Sequence, residues 1–536
     1  MISLLNSRMI VTVFSFCMAF TLSAKEYNIT AYGAKSDTTI LSTRAIQGAI
    51  DDCSGNGGGK VIIPTGIYLT GTLYFKSNVT LHLDQGAILY GSTHLSDYPE
   101  NLPGYTFYRK REVKRALIYA EKCSDIAIEG EGMINGQGEA FLVSKSSKVN
   151  SYSVRPYLIW MIQCRNVRTE GVKLRNSALW MQHYLACDQV YIHNIEVFNH
   201  CNKNNDMIDL DGCHDVRISD CMGDSDDDGI TLKSTSDRAN ENIVITNCLL
   251  SSHCNALKMG TESNGGFKNV VVSNLVIRPS VVTDKSIGGS PHGHTGIALE
   301  LVDGGILDGV VISNIHIDGP DCPIFIRLGN RARPYYEAQK IDKVGVLQNI
   351  LISNVIATNA KMIGCSITGI PGNPVQNISL SHISIEFDGG GTIADFKREI
   401  PEVEKAYPEA DMFGVLPVYG FFIRHAKNVS FTDITLKTKA EDLRPAVLLY
   451  DVINGDFEKM NMTGSGNNFC SISLEKTENI RVSGSRIDGA SNSLLGLTGF
   501  ENSRVMAINN NLANIKTLIV PGVKGKTVVI ESGNIK

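Results

Sequence analysis

Two short acidic runs carry the chemistry this chain offers: Asn204-Asn205-Asp206-Met207-Ile208-Asp209 and Ser225-Asp226-Asp227-Asp228-Gly229-Ile230-Thr231-Leu232-Lys233. Asp206 and Asp228 each stand just before alternating apolar residues, Ile208 and Leu210 in one run, Ile230 and Leu232 in the other. If these are strands on consecutive turns of a solenoid, the two acids lie side by side, about 4.8 Å apart, with Asp227 next to them. Carboxylates crowded in this way repel one another and add no stability. Crowding raises the proton affinity of one and leaves a proton donor beside ionised partners. Hydrolysis of a glycosidic bond needs that pairing, so Asp227, Asp206 and Asp228 are the expected catalytic group. The reading without catalysis is an Asp ladder that caps solenoid corners or supplies oxygen ligands to calcium.

The elements that must position these acids are visible as a repeat. A polar residue followed by alternating β-branched residues recurs at Asn166-Val167, Gln189-Val190, Asp215-Val216, Asn242-Ile243 and Asn269-Val270, at spacings of 23 to 27 residues. It continues with larger insertions at Gly309-Val310, Asn349-Ile350, Asn377-Ile378, Asn428-Val429 and Asn479-Ile480. Strict alternation, as in Val270 to Ile277, reads as half-buried strand. The period and the Asn and Gly corners predict an all-β chain folded as a right-handed parallel β-helix, in which each rung buries its neighbour's face. A propeller would repeat at about 40 to 50 residues with a Trp-Asp signature, and the chain has only Trp160 and Trp180. A solenoid core grows along its axis, so residues 25–536 are expected to form one domain. Helical spacing over Thr43-Arg44-Ala45-Ile46-Gln47-Gly48-Ala49-Ile50 predicts a short helix in an N-terminal cap over about 25–60 that covers the open end of the solenoid. Two stretches break the rung spacing, about 279–294 and 388–417. Loops of that length in a compact solenoid are usually functional or disordered.

Residues 1–24 have the form of a secretory signal, with Arg8 ahead of the apolar run Met9–Leu22 and Ser23-Ala24 at its end. The expected location is therefore the periplasm or the extracellular space, with no membrane span after its removal. A net charge of −5 and the lack of a basic stripe argue against a nucleic-acid partner. Of thirteen cysteines, the twelve that follow the signal segment scatter over the rungs and read mainly as free core thiols. With no Cys-x-x-Cys or His-x-x-x-His spacing, neither a metal nor another cofactor is expected.

At these motifs the chain resembles glycoside hydrolase family 28, the polygalacturonases and rhamnogalacturonan hydrolases. The resemblance runs from Tyr32-Gly33-Ala34 and Val61-Ile62-Ile63-Pro64-Thr65-Gly66 through Asn176-Ser177-Ala178-Leu179-Trp180 with His183. Asn204–Asp209 is similar to the family's Asn-Thr-Asp-Gly-x-Asp, and Asp226–Lys233 to its Gly-Asp-Asp-x-x-x-x-Lys. Tyr407-Pro408-Glu409 through Met412-Phe413-Gly414 to Arg424-His425 looks like bacterial members. The resemblance implies Asp227 as general acid, Asp206 and Asp228 as holders and activators of the water, and inversion at the anomeric carbon. Lys233 matches the family's lysine after the Asp pair, expected to orient a carboxylate.

Two departures bear on substrate. Asn255, in Cys254-Asn255-Ala256, takes the place of the imidazole of a Gly-His-Gly motif; it can orient an acid or bind a hydroxyl but cannot titrate. Where polygalacturonases carry an Arg-x-Lys pair for the uronate, this chain has Ala298 and Glu300, and Glu300 is expected to repel a carboxylate. Mid-chain cleavage of unsubstituted homogalacturonan should accordingly be poor. Lys258, in Leu257-Lys258-Met259-Gly260, matches Arg327 in Ile326-Arg327-Leu328-Gly329, which suggests one outward column of cations for a uronate, with a plain solvated face as the alternative. His294 and His183 flank the column of Asn255 and are further substrate-binding candidates; Trp180 and Tyr336 are candidate sugar platforms.

The expected activity is therefore an exported inverting glycosidase, a monomer, acting on a pectic polysaccharide or oligosaccharide as a galacturonidase or rhamnogalacturonan hydrolase. Exo action is expected if the two insertions wall off the groove; if the second covers only the C-terminal rungs, it lies far from the chemistry. A β-helix polysaccharide lyase and a non-catalytic glycan-binding solenoid are the alternatives.

Overall fold

The computed structural model describes residues 25–143, 151–284, 286–287, 289–498, 502–520 and 527–536. The proposed signal segment 1–24 lies outside them. Strands repeat along the chain, each pairing in parallel with the strand one turn later, to give a right-handed parallel β-helix. The first end is closed by α1 (Thr43–Gly55), whose buried Ile46, Ala49, Ile50 and Cys53 share one face at helical spacing. Gln47 fixes it to the sheet, its amide donating to the Tyr74 carbonyl at 3.0 Å and accepting from the Tyr74 N–H at 2.8 Å.

The recurring polar residue of the sequence repeat is a corner. Asn166, Gln189, Asp215, Asn242, Asn269 and Asn349 all have φ between 51° and 59°, a conformation that Asn and Asp tolerate because the short side chain bonds locally. The corner amides also hand hydrogen bonds from rung to rung: Asn242 to Asp215 (3.0 Å), Asn269 to Asn242 (3.2 Å), and Asn377 to Asn349 (2.8 Å).

One face carries the acids. Its strands are β1 (Tyr157–Ile162), β2 (Gln182–Leu185), β3 (Ile208–Asp211), β4 (Ile230–Ser234), β5 (Asn255–Ser263), β6 (Thr295–Leu301) and β7 (Cys322–Leu328). Two inward columns set its register: Ile208, Ile230, Leu257, Ile297 and Ile324, and Leu210, Leu232, Met259, Leu299 and Ile326. All are fully buried, each contributing roughly 1.5–3 kcal/mol. A slip of one residue would turn every one of them outward, so the apolar columns hold the polar ones in place. Twelve cysteines among the described residues are free thiols, all buried but Cys201. No described helix is long and apolar enough to cross a membrane.

Candidate active site

Extending the β3–β4–β5 register two places before Ile208, Ile230 and Leu257 brings Asp206, Asp228 and Asn255 into one column. The backbone confirms it: Met207 N–H donates to the Asp228 carbonyl at 2.9 Å, and Gly229 N–H to the Asn255 carbonyl at 2.8 Å. Asn255 Nδ2 donates to Asp228 Oδ1 at 2.8 Å. Asp227 sits on the turn beside them, its carboxylate accepting from the Asp228 N–H (2.9 Å) and lying 3.4 Å from Asn204 Nδ2. Ser225 and Ser252 hydroxyls donate to the Asp227 carbonyl at 3.0 and 2.7 Å and pin that turn. Asp206 and Asp228 are 2% and 3% exposed, while Asp227 is only half-buried, so Asp227 is the acid best placed to meet a substrate oxygen.

Two buried lysines are threaded among the acids. Lys233 Nζ lies 3.3 Å from both Asp206 Oδ2 and Asp209 Oδ1. Lys258 Nζ lies 3.1 Å from Asp228 Oδ2, 3.4 Å from Glu409 Oε1 and 3.8 Å from Glu300 Oε2. These contacts split the acids electrostatically. Burial, with Asp228 adjacent, pushes Asp227 up to about 6. Burial, Asp209 and Asp227 hold Asp206 well above its usual range, and burial lifts Asp209 to about 7 against the pull of Lys233. For Asp228, burial alone would raise the pKa, but Lys258, Lys233 and the Asn255 hydrogen bond outweigh it and the net shift is downward. The set therefore holds an ionised base, Asp228, next to protonated neighbours, with the half-buried Asp227 as the proton donor.

These groups form the floor of a pocket of about 180 Å³. One wall is Phe107, Tyr108, Arg109 and Val113, from a segment that docks on the end of β4 through Tyr108 N–H to the Thr235 carbonyl (2.8 Å) and Tyr105 Oη to Ser236 Oγ (2.8 Å). Tyr407 and Arg333 also line the pocket; the Arg333 guanidinium stacks on that wall, 3.7 Å from the Tyr108 ring centre, and lies 2.6 Å from Glu262. Trp180, Tyr152 and Tyr157 complete the lining.

The sequence-predicted residues divide accordingly. Asp206, Asp227, Asp228, Lys233, His183 and Trp180 line this pocket, and Asn255 and Lys258 lie directly behind Asp228. His183 is buried, packed on Trp180 and Tyr157, with Nε2 3.1 Å from Asp211 Oδ2. His294 is half-buried next to Asp321 and does not line the pocket. Tyr336 is 45% exposed in a separate outer depression.

Three expectations change. Lys258 and Arg327 do not share a column: Lys258 pairs with Ala298, while Arg327 pairs with Glu300, two residues on. Nor do they form a solvated face, for both are at most 2% exposed; Arg327 donates to the carbonyls of Gly369 (3.0 Å) and Glu402 (2.7 Å), anchoring the 388–417 insertion. Glu300 does not confront a substrate, because it is fully buried below Lys258 and absent from the pocket lining, and burial raises it well above its usual range toward the neutral form. That second insertion also does more than cover distant rungs, since Glu409 Oε2 reaches within 3.3 Å of Asn255 Nδ2 and Tyr407 lines the pocket. No described residue of the first insertion lines the pocket. Sequence reading missed Phe107, Tyr108, Arg109, Val113, Tyr152 and Arg333, which come from irregular segments with no rung period to locate them, and Glu262, which stands near the end of β5.

Comparison with known proteins identifies the family. A probable polygalacturonase of Vitis vinifera is 26% identical over 391 residues, covering 68% of this chain and 75% of that protein. An exo-poly-alpha-D-galacturonosidase of Dickeya chrysanthemi is 27% identical over 330 residues, covering 51% and 54%. The crystal structure of a hyperthermoactive exopolygalacturonase from Thermotoga maritima superposes with a TM-score of 0.60 at 22% identity, covering 77% of this chain and 92% of that one, and shares the fold. The sequence model of glycosyl hydrolases family 28 matches residues 53–404, so the chain is a glycosidase and belongs to that family.

Proposed function

We propose that this glycosidase is exported and removes sugars from the end of a pectic, uronate-containing chain with inversion of configuration. The observation that carries the reading is the position of the acids in a small pocket that is also lined by Phe107, Tyr108, Arg109, Arg333 and Tyr407, residues outside the repeating rungs. Asp227 donates its proton to the leaving oxygen, Asp228 takes one from water that Asp206 helps to hold, and the sugar ring occupies the space between. Asn255 holds Asp228 in place through its amide, and Lys258 and Lys233 keep Asp228 ionised. Trp180 offers an apolar face for the ring. Arg109 and Arg333 are the guanidinium groups on the pocket walls and the recognition elements for a uronate carboxylate. The Dickeya relative's printed activity, exo-poly-alpha-D-galacturonosidase, fits the same reading. Lys233 and Lys258 are both committed to carboxylates, which argues against either as the base of a lyase.

The test is a time course on pectic oligosaccharides and polygalacturonate with anomeric product analysis. A mono- or disaccharide of inverted configuration, released from the first time point and carrying a new reducing end, is the expected product. An early ladder of intermediate oligomers would overturn exo action, and ultraviolet-absorbing unsaturated products would overturn hydrolysis.

A further inference from the structure

A second set of titratable side chains lies beside the catalytic turn and takes no part in the chemistry above. The register pairs Asn199 with Ser225 and Ser225 with Ser252, so the next residues, His200, Asp226 and His253, form a column of their own over three successive rungs. Asp226 N–H donates to the Asn199 carbonyl at 2.9 Å and His253 N–H to the Ser225 carbonyl at 3.0 Å, which fixes the stacking.

Two rungs separate the histidine backbones by roughly 9.6 Å, yet their ring centroids are only 4.7 Å apart. Both imidazoles lean over the middle rung, toward Asp226. His253 Nδ1 is 2.9 Å and His200 Nδ1 3.9 Å from Asp226 Oδ1. The outer nitrogens are both engaged elsewhere. His200 Nε2 is 2.8 Å from Asp224 Oδ1, and His253 Nε2 is 2.9 Å from the Val282 carbonyl. Acceptors at both outer positions hold a proton on each Nε2 and turn both Nδ1 atoms inward; His253 Nδ1 and Asp226 Oδ1, 2.9 Å apart, share a proton whose place a bound ion would take. A carboxylate or a carbonyl on the far nitrogen is the arrangement that fixes the tautomer of metal-binding histidines. His200 is 7% exposed, and its Nδ1 is buried with no hydrogen-bond partner. One ligand atom from each of the three residues falls within 4.8 Å of the others, a span that brackets the edge of about 3.3 Å expected for ligands some 2.0–2.1 Å from a tetrahedral ion.

We propose that His200, Asp226 and His253 bind one divalent transition-metal ion of the zinc class. Two imidazoles with one carboxylate suit such an ion better than calcium or magnesium, which take oxygen ligands. The site is structural. It ties three rungs together immediately before Asp227 and Asp228, and through Val282 and the Ile287 N–H, which donates to Asp226 at 2.9 Å, it fastens the 279–294 insertion to the same turn. No metal motif is legible in the sequence because the ligands are one rung apart, 26 and 27 residues, a spacing that otherwise signals only stacking.

Equilibrium dialysis of the full chain against Zn²⁺ tests this, with metal content and melting temperature as readouts. One ion per chain and a higher melting temperature are expected, with affinity falling ~10-fold or more in His200→Ala and in His253→Ala, and less in Asp224→Asn, which removes no ligand and alters the outer partner of His200. Absence of saturable binding at micromolar Zn²⁺, or binding unchanged in both alanine variants, would overturn the proposal. If the variants do not fold, X-ray absorption of the Zn²⁺-loaded wild-type chain decides: two imidazole ligands support the site, and a spectrum without them refutes it.

Discussion

Replacing Lys258 by Met should move the acid limb of the pH–rate profile to higher pH. Lys258 Nζ is 3.1 Å from Asp228 Oδ2 and 2% exposed, and it is the strongest of the influences that draw Asp228 below its usual range. At an effective dielectric near 20, an ion pair at that distance is worth about 5 kcal/mol, a ceiling of about four pKa units. Lys233 and the Asn255 amide stay in place, so a rise of at least about one unit in Asp228 is the expected part of that ceiling. Asp228 works as an ionised base; a higher pKa therefore leaves less of it ionised at acidic pH, and kcat/KM below the new pKa drops by about tenfold per unit. Met keeps the stem's length and apolar packing. Stability should also fall, by roughly 3–5 kcal/mol, because Asp228 loses its buried partner. The assay is kcat/KM across pH 3.5 to about 8, normalised to the folded fraction by circular dichroism. An acid limb in the folded variant that coincides with wild type would refute the assignment of Asp228 as the lysine-held base.

Asp227→Asn should reduce kcat by at least ~100-fold while binding of a product sugar stays close to wild type, and Asp206→Asn and Asp228→Asn should lose as much; calorimetry alongside rates checks this, and near-normal rates in all three would remove the hydrolase mechanism. The basic limb of the profile should fall near pH 6, where Asp227, held up to about 6 by burial and Asp228, gives up the proton it donates; a rate that climbs steadily from pH 5 to about 8 would contradict that role. Tyr407→Ala should open the wall nearest Lys258 and raise the share of intermediate oligomers among early products, read by chromatography of a timed digest, whereas an unchanged product pattern would mean that the 388–417 insertion does not set the cleavage mode.

Much of the site was legible because a solenoid turns sequence spacing into spatial adjacency. Asp206, Asp228 and Asn255 could be stacked from the apolar alternation alone, since Ile208, Ile230 and Leu257 must all face inward. The same logic explains the error over Lys258 and Arg327. Alternation has a period of two, so it rejects a slip of one residue but is blind to a slip of two, which keeps every side chain on its own face. Leu257-Lys258-Met259 and Ile326-Arg327-Leu328 look alike in sequence, yet the pairing of β6 with β5 and β7 sets Lys258 beside Ala298 and Arg327 beside Glu300. The burial of both cations was illegible for a different reason: the cover comes from 388–417, over a hundred residues beyond Lys258, and only packing shows where a non-repeating segment returns. Glu262 and Arg333 share that difficulty, as a pair that meets across 71 positions.

The exchange of an imidazole for Asn255 is intelligible once Lys258 is located. A histidine beside Asp228 would supply both a hydrogen bond and a titrating positive charge, and its charge would disappear as the pH rose past neutrality. Here the two duties are divided. Asn255 gives the hydrogen bond at 2.8 Å, and Lys258 gives a permanent charge at 3.1 Å, with its own pKa raised well above the usual lysine value because the surrounding carboxylates outweigh the effect of burial. Glu300 and Glu409 hold that ammonium from the other side, at 3.8 and 3.4 Å. The position where the resemblance led to expecting repulsion of a uronate thus supports the lysine that holds the base ionised. Recognition of the substrate's carboxylate then falls to the pocket walls, to Arg109 and Arg333, which belong to segments outside the repeating rungs and are free to vary without disturbing the stacked columns that position the acids.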